Sequence, residues 1–194
     1  MWSGNPDIWK GTAPILFPIV GQLREGRYSY NGTFYQLPRH GFARTLEFSH
    51  HGLGESESSF VLAASPETEL VYPFPFELEA RFRVERARLR MSYRVTNKGG
   101  ETMPIMLGSH PAFALPLDGC SLEDYAIEFD EAETLDLYHL ENGLLCPEPK
   151  KTFLNNEKTI RITKKLFDND ALIFKNVKSR EIHVHREGTG RRLT

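Results

Sequence analysis

Apolar and polar positions alternate along most of this chain, and no apolar stripe recurs at helical spacing over a useful length. Phe76, Leu78, Ala80, Phe82 and Val84 mark one strand, and Leu89, Met91, Tyr93 and Val95 a second. The apolar phase passes from even to odd numbers across 85–88. That requires a tight turn or bulge, because each residue of a strand changes face. Arg27-Tyr28-Ser29-Tyr30 and Thr33-Phe34-Tyr35-Gln36-Leu37 flank Asn31-Gly32, the strongest short-range signal for a hairpin. Asn97-Lys98-Gly99-Gly100 predicts another turn, leading into a β-type run from Met103 to Leu107. Further strands are expected over 125–129, 134–140, 159–163, 171–174 and 181–185, with loops rich in Pro, Gly and Ser at 50–58, 65–75 and 141–151. Many short strands separated by turns predict an all-β fold, an antiparallel sandwich or barrel. With no linker and no internal repeat, the 194 residues predict one domain, 1–194.

Charge narrows the partners. Lys and Arg number 24 against 26 Asp and Glu, a net charge of −2, so nothing favours nucleic acid or an anionic membrane. The arginines at 81–94 interleave with Glu77, Glu79 and Glu85 and read as a solvated sheet face. Cys120 and Cys146 have no metal-binding or redox spacing. The N-terminus shows no signal peptide and no apolar run reaches membrane-spanning length, so a reduced, cytoplasmic protein is expected.

The chemistry concentrates in Gly108-Ser109-His110-Pro111-Ala112-Phe113-Ala114-Leu115-Pro116-Leu117, where a strand empties into a turn. Pro111 holds His110 to an extended backbone. His40 has similar surroundings, Leu37-Pro38-Arg39-His40-Gly41-Phe42-Ala43-Arg44. Imidazoles exchange protons near neutrality, arginines donate fixed hydrogen bonds, and aromatic rings stack on sugar faces. On the residues alone, the commoner reading of His110 is a strand-end histidine bonded to backbone. His40 is as well a solvated loop residue as a ligand. Glu181-Ile182-His183-Val184-His185 sets two imidazoles on one strand face, read as a polar outward face because no third metal ligand is evident. His50-His51 reads as solvated; Trp2 and Trp9 could stack on a sugar, but the commoner reading is that they cover one end of the fold.

Ala13–Gly21 (APILFPIVG), 40–44 (HGFAR) and 108–117 (GSHPAFALPL), followed by 166–174 (LFDNDALIF), resemble the aldose 1-epimerase, or mutarotase, family, most closely its bacterial LacX-like and YeaD-like branch. The resemblance implies a large antiparallel β-sandwich, the mutarotase supersandwich, here incomplete at its N- and C-terminal strands. It also implies a small-molecule aldose as partner and no cofactor or metal. In that chemistry an acid protonates the ring oxygen while a base takes the proton of the anomeric hydroxyl, and the ring recloses on either face.

By the same resemblance His110 is the general acid and His40 orients the sugar. Arg24 and Asp170 hold sugar hydroxyls, with Asp168 as the alternative to Asp170, and Arg44 is an extra contact. The family's general base, a glutamate near the C-terminus in a C-I-E-P-W-like segment, has no counterpart here. Glu148, in Cys146-Pro147-Glu148-Pro149, falls too early. The chain therefore resembles the central part of such a protein, either a fragment or a shortened product without the base. Exposed sheet edges would be covered by a homodimer, by another chain, or not at all. The alternatives are a non-catalytic carbohydrate-binding protein and a hexose-6-phosphate 1-epimerase.

Overall fold

A computed structural model describes every residue except Met1, Lys10, 116–118, Glu187, Gly190 and Arg191. Positions 116 and 117 of the 108–117 motif thus lie outside the described residues. Regular structure among them is almost all strand, with one four-residue α-helix, Pro66–Glu69, and three single 3₁₀ turns. The chain divides into two compact units, Pro6–Pro111 and Met1–Asn5 with Ala112–Thr194.

In the Pro6–Pro111 unit, β1 (Ile15–Leu16) precedes the hairpin of β2 (Arg27–Tyr30) and β3 (Thr33–Gln36). β4 (Ser49–Gly54), β5 (Glu57–Ala63), β6 (Phe76–Glu85) and β7 (Arg88–Asn97) form one antiparallel sheet in that order, and β8 (Gly108–Ser109) returns to pair with β1. The Asn31-Gly32 turn forms with φ of 48° and 78°, as a two-residue type I′ connection needs. Between β6 and β7 the chain reverses over Arg86 and Ala87, pairing Leu78 with Val95, Ala80 with Tyr93 and Phe82 with Met91. Even numbers therefore face odd ones, which accounts for the phase change seen in the sequence. The arginine-rich face of this sheet carries ion pairs, Arg81 to Glu79 at 3.0 Å and Arg83 to Glu85 at 2.8 Å.

The core of this unit is aromatic. Phe17, fully buried, meets Phe42, Tyr72 and Phe76 with ring centroids 5.0–6.1 Å apart, and Leu78 is buried beside them. Rings at these separations in edge and tilted geometry add to plain burial.

In the other unit, β9 (Tyr125–Leu137) lies between β12 (Lys151–Arg161) and β13 (Ile182–Arg186), with β14 (Arg192–Leu193) on the outer side of β13. β10 (Leu140–Glu141) and β11 (Leu144–Leu145) form a separate small hairpin. Phe129, Leu135, Leu154 and Ile160 make the core.

Several boundaries differ from the expected ones. The 50–58 loop is a strand pair, β4 and β5, because every β4 side chain is exposed and only backbone bonding to β5 defines it. The 141–151 loop contains β11 and the start of β12. Residues 103–107 form no ladder. Pro104 has no N–H to give, its carbonyl accepts from Tyr72 Oη at 2.9 Å, and Met106 N–H bonds Pro18 O at 2.9 Å. Residues 171–174 contribute one bridge, Tyr138 with Ile173.

Strands expected separately at 125–129 and 134–140 are one continuous β9 as far as Leu137. The apolar alternation breaks because Glu133 points inward, its carboxylate accepting from the Lys178 and Ser179 N–H groups at 3.0 and 2.7 Å. The Ser179 contacts and the Lys178 N–H hold its pKa below the ordinary carboxylate value.

Leu78→Ala is expected to cost about 2–5 kcal/mol in denaturant unfolding. Leu70→Ala, at a position 78% exposed, should stay within about 0.5 kcal/mol of the parent.

Candidate functional site

The 13–21 segment brings the other two motifs of its unit together. Its strand, β1, pairs Leu16 with Gly108 and Ile15 with Ser109, which sets His110 directly after the β8 ladder. A side chain at Gly108 would press on Val20 and Leu16, its Cβ 3.0 Å from Val20 Cγ2 and 3.2 Å from Leu16 Cδ1. Phe17 O accepts from the N–H groups of Phe42 and Ala43 at 3.0 and 3.2 Å, holding the 40–44 loop on the same backbone.

His40 is gripped at two points. Its N–H donates to Gly21 O at 2.7 Å, and Gly21 N–H donates back to His40 Nδ1 at 3.0 Å. Pro38 to Gly41 is a β-turn closed by Gly41 N–H on Pro38 O at 2.9 Å, with His40 at φ 68° in its third position. A side chain there must accept left-handed backbone, which is uncommon outside glycine. Gly41 follows at φ 70°, and a Cβ on it would lie 2.1 Å from Phe17 O. Only glycine fits between the loop and the 13–21 backbone.

Because Nδ1 accepts a hydrogen bond, the neutral His40 ring carries its proton on Nε2. Burial, then the charges of Arg39, Arg44 and His110, hold its pKa below the ordinary 6.5. Arg44 belongs to the turn Ala43–Thr45 that follows the His40 loop. His110 is exposed, with the Trp9 indole tilted against it at 5.0 Å between centroids. A Cβ at Gly11 would come 2.5 Å from that indole, so glycine there leaves room for it. Trp9 is thus a neighbour of His110. No spacing in the sequence links residue 9 to residue 110.

Arg24 lies exposed in the turn Arg24–Gly26, whose last carbonyl accepts from Leu37 N–H at 3.0 Å just before the His40 loop. Asp170 belongs to the other unit. It is exposed, at φ 74°, with Oδ1 accepting from Ala171 N–H at 2.8 Å. Asp168 and Glu148 are exposed in that unit too. Among the described residues, neither His40 nor His110 is ion-paired to a carboxylate. His183 and His185 lie 3.8 Å from Glu181 and 3.5 Å from Glu128, but their side chains are only 14% and 19% exposed while Ile182 is 50% exposed, so the imidazoles take the more covered face of β13 rather than the outward face expected.

A model of the aldose 1-epimerase family matches residues 1–194. The chain belongs to that family. It is 35% identical over 202 residues to the chromosomal and plasmid LacX proteins of Lactococcus lactis, covering all of this chain and 68% of each. A galactose mutarotase related enzyme from Lactobacillus acidophilus superposes with a TM-score of 0.87 at 34% identity, over 96% of this chain. A galactose mutarotase-like protein from Lactobacillus casei gives 0.83 at 25% identity, also over 96%. The chain spans 63% and 64% of those two structures. The β-sandwich class expected from the sequence is the class of these neighbours, and family membership supports a role in carbohydrate epimerisation. No helix of the described residues is long and apolar enough to cross a membrane.

Two measurements check the His40 geometry. In long-range ¹H–¹⁵N spectra, His40 should stay neutral with its proton on Nε2 to a pH below 6.5. Between the folded value and 6.5 the unfolded chain binds a proton that the folded one refuses, so stability falls as pH drops through that window. His40→Gln should remove that share of the pH dependence. Gly41→Ala should destabilise by more than about 1 kcal/mol, since the native backbone there cannot accept a side chain.

Proposed function

We propose that the His40–His110 site binds the pyranose form of an aldose and that His110 protonates its ring oxygen while α and β anomers interconvert. One observation carries the reading: the two-point Gly21–His40 grip fixes the His40 ring with its proton on Nε2, and the same 13–21 backbone pairs with β8, which ends at the exposed imidazole of His110. Ring opening needs an acid that can both give and regain a proton near neutrality, and an exposed imidazole meets that need. A second imidazole that also protonated would compete for the same proton. Burial and neighbouring cations keep His40 neutral, which suits it to orienting a hydroxyl. Arg44 and Arg24 are proposed as further hydroxyl contacts. No cofactor enters this chemistry.

The complementary base is a carboxylate. The sequence has no C-I-E-P-W-like segment, and among the described residues no carboxylate pairs with either imidazole. This favours a second reading for the 194-residue chain by itself, sugar binding without turnover.

Polarimetry from pure α-anomer separates the two. Absence of a positioned base costs about 10²–10⁴ in rate, so the 194-residue chain should run little faster than buffer. A chimera carrying the remaining segment of a longer relative should be fast and should slow again on His110→Asn, because an amide bonds the ring oxygen but cannot protonate it. Ligand-observed NMR should detect aldose binding by the parent and none by the His40→Ala, His110→Ala double variant. Equal binding by both would place the sugar elsewhere. Full activity of the 194-residue chain would mean that a carboxylate it already holds, such as Glu148 or Glu181, serves as base.

A further inference from the structure

The small hairpin of β10 and β11 collects three metal-ligating side chains on one face. Its ladder pairs Leu140 with Leu145 and Glu141 with Leu144 around Asn142-Gly143, both at positive φ. Cys146 N–H continues the ladder to His139 O at 3.0 Å, so His139 and Cys146 stand opposite each other. Glu141, two residues from His139, shares its face, since side chains of a strand alternate. A two-residue turn thus brings His-x-Glu and a cysteine together without help from the rest of the fold.

The side chains converge as the register requires. A ring nitrogen of His139, a carboxylate oxygen of Glu141 and Cys146 Sγ all lie within 4.8 Å of one another, and His139 Nε2 is 3.2 Å from Glu141 Oε1. In a tetrahedral zinc site, ligand bonds of about 2.0–2.3 Å put nitrogen, oxygen and sulfur about 3.3–3.7 Å apart. Small rotamer changes close that gap. A second observation points the same way: His139 Nδ1 is buried and finds no hydrogen-bond partner among the described residues. With Nε2–H given to Glu141, the neutral ring keeps a bare lone pair at Nδ1.

We propose that His139, Glu141 and Cys146 form a site for a divalent, borderline-soft metal ion of the zinc class, held by one nitrogen, one oxygen and one thiolate, with a fourth position for water. Imidazole and thiolate together select zinc-like ions over magnesium or calcium, which take oxygen ligands. On binding, the Cys146 proton passes to solvent as the thiolate takes the metal. The ion would tie the two ends of the hairpin together, next to the Tyr138–Ile173 bridge.

Cobalt(II), a spectroscopic stand-in for zinc, provides the test on the full 194-residue chain. Titration should give the intense visible bands of four-coordinate cobalt with a near-ultraviolet thiolate-to-metal band, and added zinc should abolish both. Cys146→Ser should remove the thiolate band and weaken binding at least tenfold, and His139→Gln should weaken it by a similar factor. Cys120→Ser should change neither, which excludes the other cysteine. Circular dichroism of each variant confirms that it is folded. Weak, six-coordinate spectra, no binding, or binding that survives both Cys146→Ser and His139→Gln would each overturn the proposal.

Discussion

The backbone of 15–21 is used three times over, and the rest of the candidate site depends on that sharing. Its strand residues complete the ladder that delivers His110, its Phe17 carbonyl receives two N–H groups of the His40 loop, and its Gly21 peptide holds the His40 ring and main chain together. Backbone groups are obligatory hydrogen-bonding partners, so a segment whose groups are divided between two loops fixes both at once. The fully buried Phe17 ring anchors this segment into the aromatic core, tying site geometry to the packing of Phe42, Tyr72 and Phe76.

Strain is concentrated where that sharing is tightest. His40 adopts a left-handed conformation that costs a non-glycine residue of order 1–3 kcal/mol, and two hydrogen bonds to Gly21 offset it. The outcome is one definite tautomer, with the proton on Nε2. Burial first, then the charges of Arg39, Arg44 and His110, lower its pKa.

The β10–β11 hairpin shows the same logic in miniature. A two-residue turn sets the register, the register sets which side chains share a face, and the face decides what the chemistry can be. There the side chains brought together are a cysteine, a glutamate and a histidine that the proposed sugar chemistry does not use.

Much of this was legible in the sequence. Alternation and the Asn31-Gly32 pair foretold the β2–β3 hairpin, and the phase change across 85–88 foretold the β6–β7 turn, because side-chain facing and type I′ geometry are local properties of the chain. The three motifs at 13–21, 40–44 and 108–117 were visible as separate strings. Other features were not visible. β4 shows no apolar alternation, β9 is interrupted by an inward Glu133, and residues 103–107 look strand-like yet lack a ladder. Each depends on which backbone lies alongside, and that is a contact between residues tens of positions apart. The same holds for the site: residue types nominated His40 and His110, but the Gly21 grip, the neutral ring and Trp9 beside His110 exist only once the chain has folded. Hydrogen bonds and burial between distant segments carry no signature in local spacing.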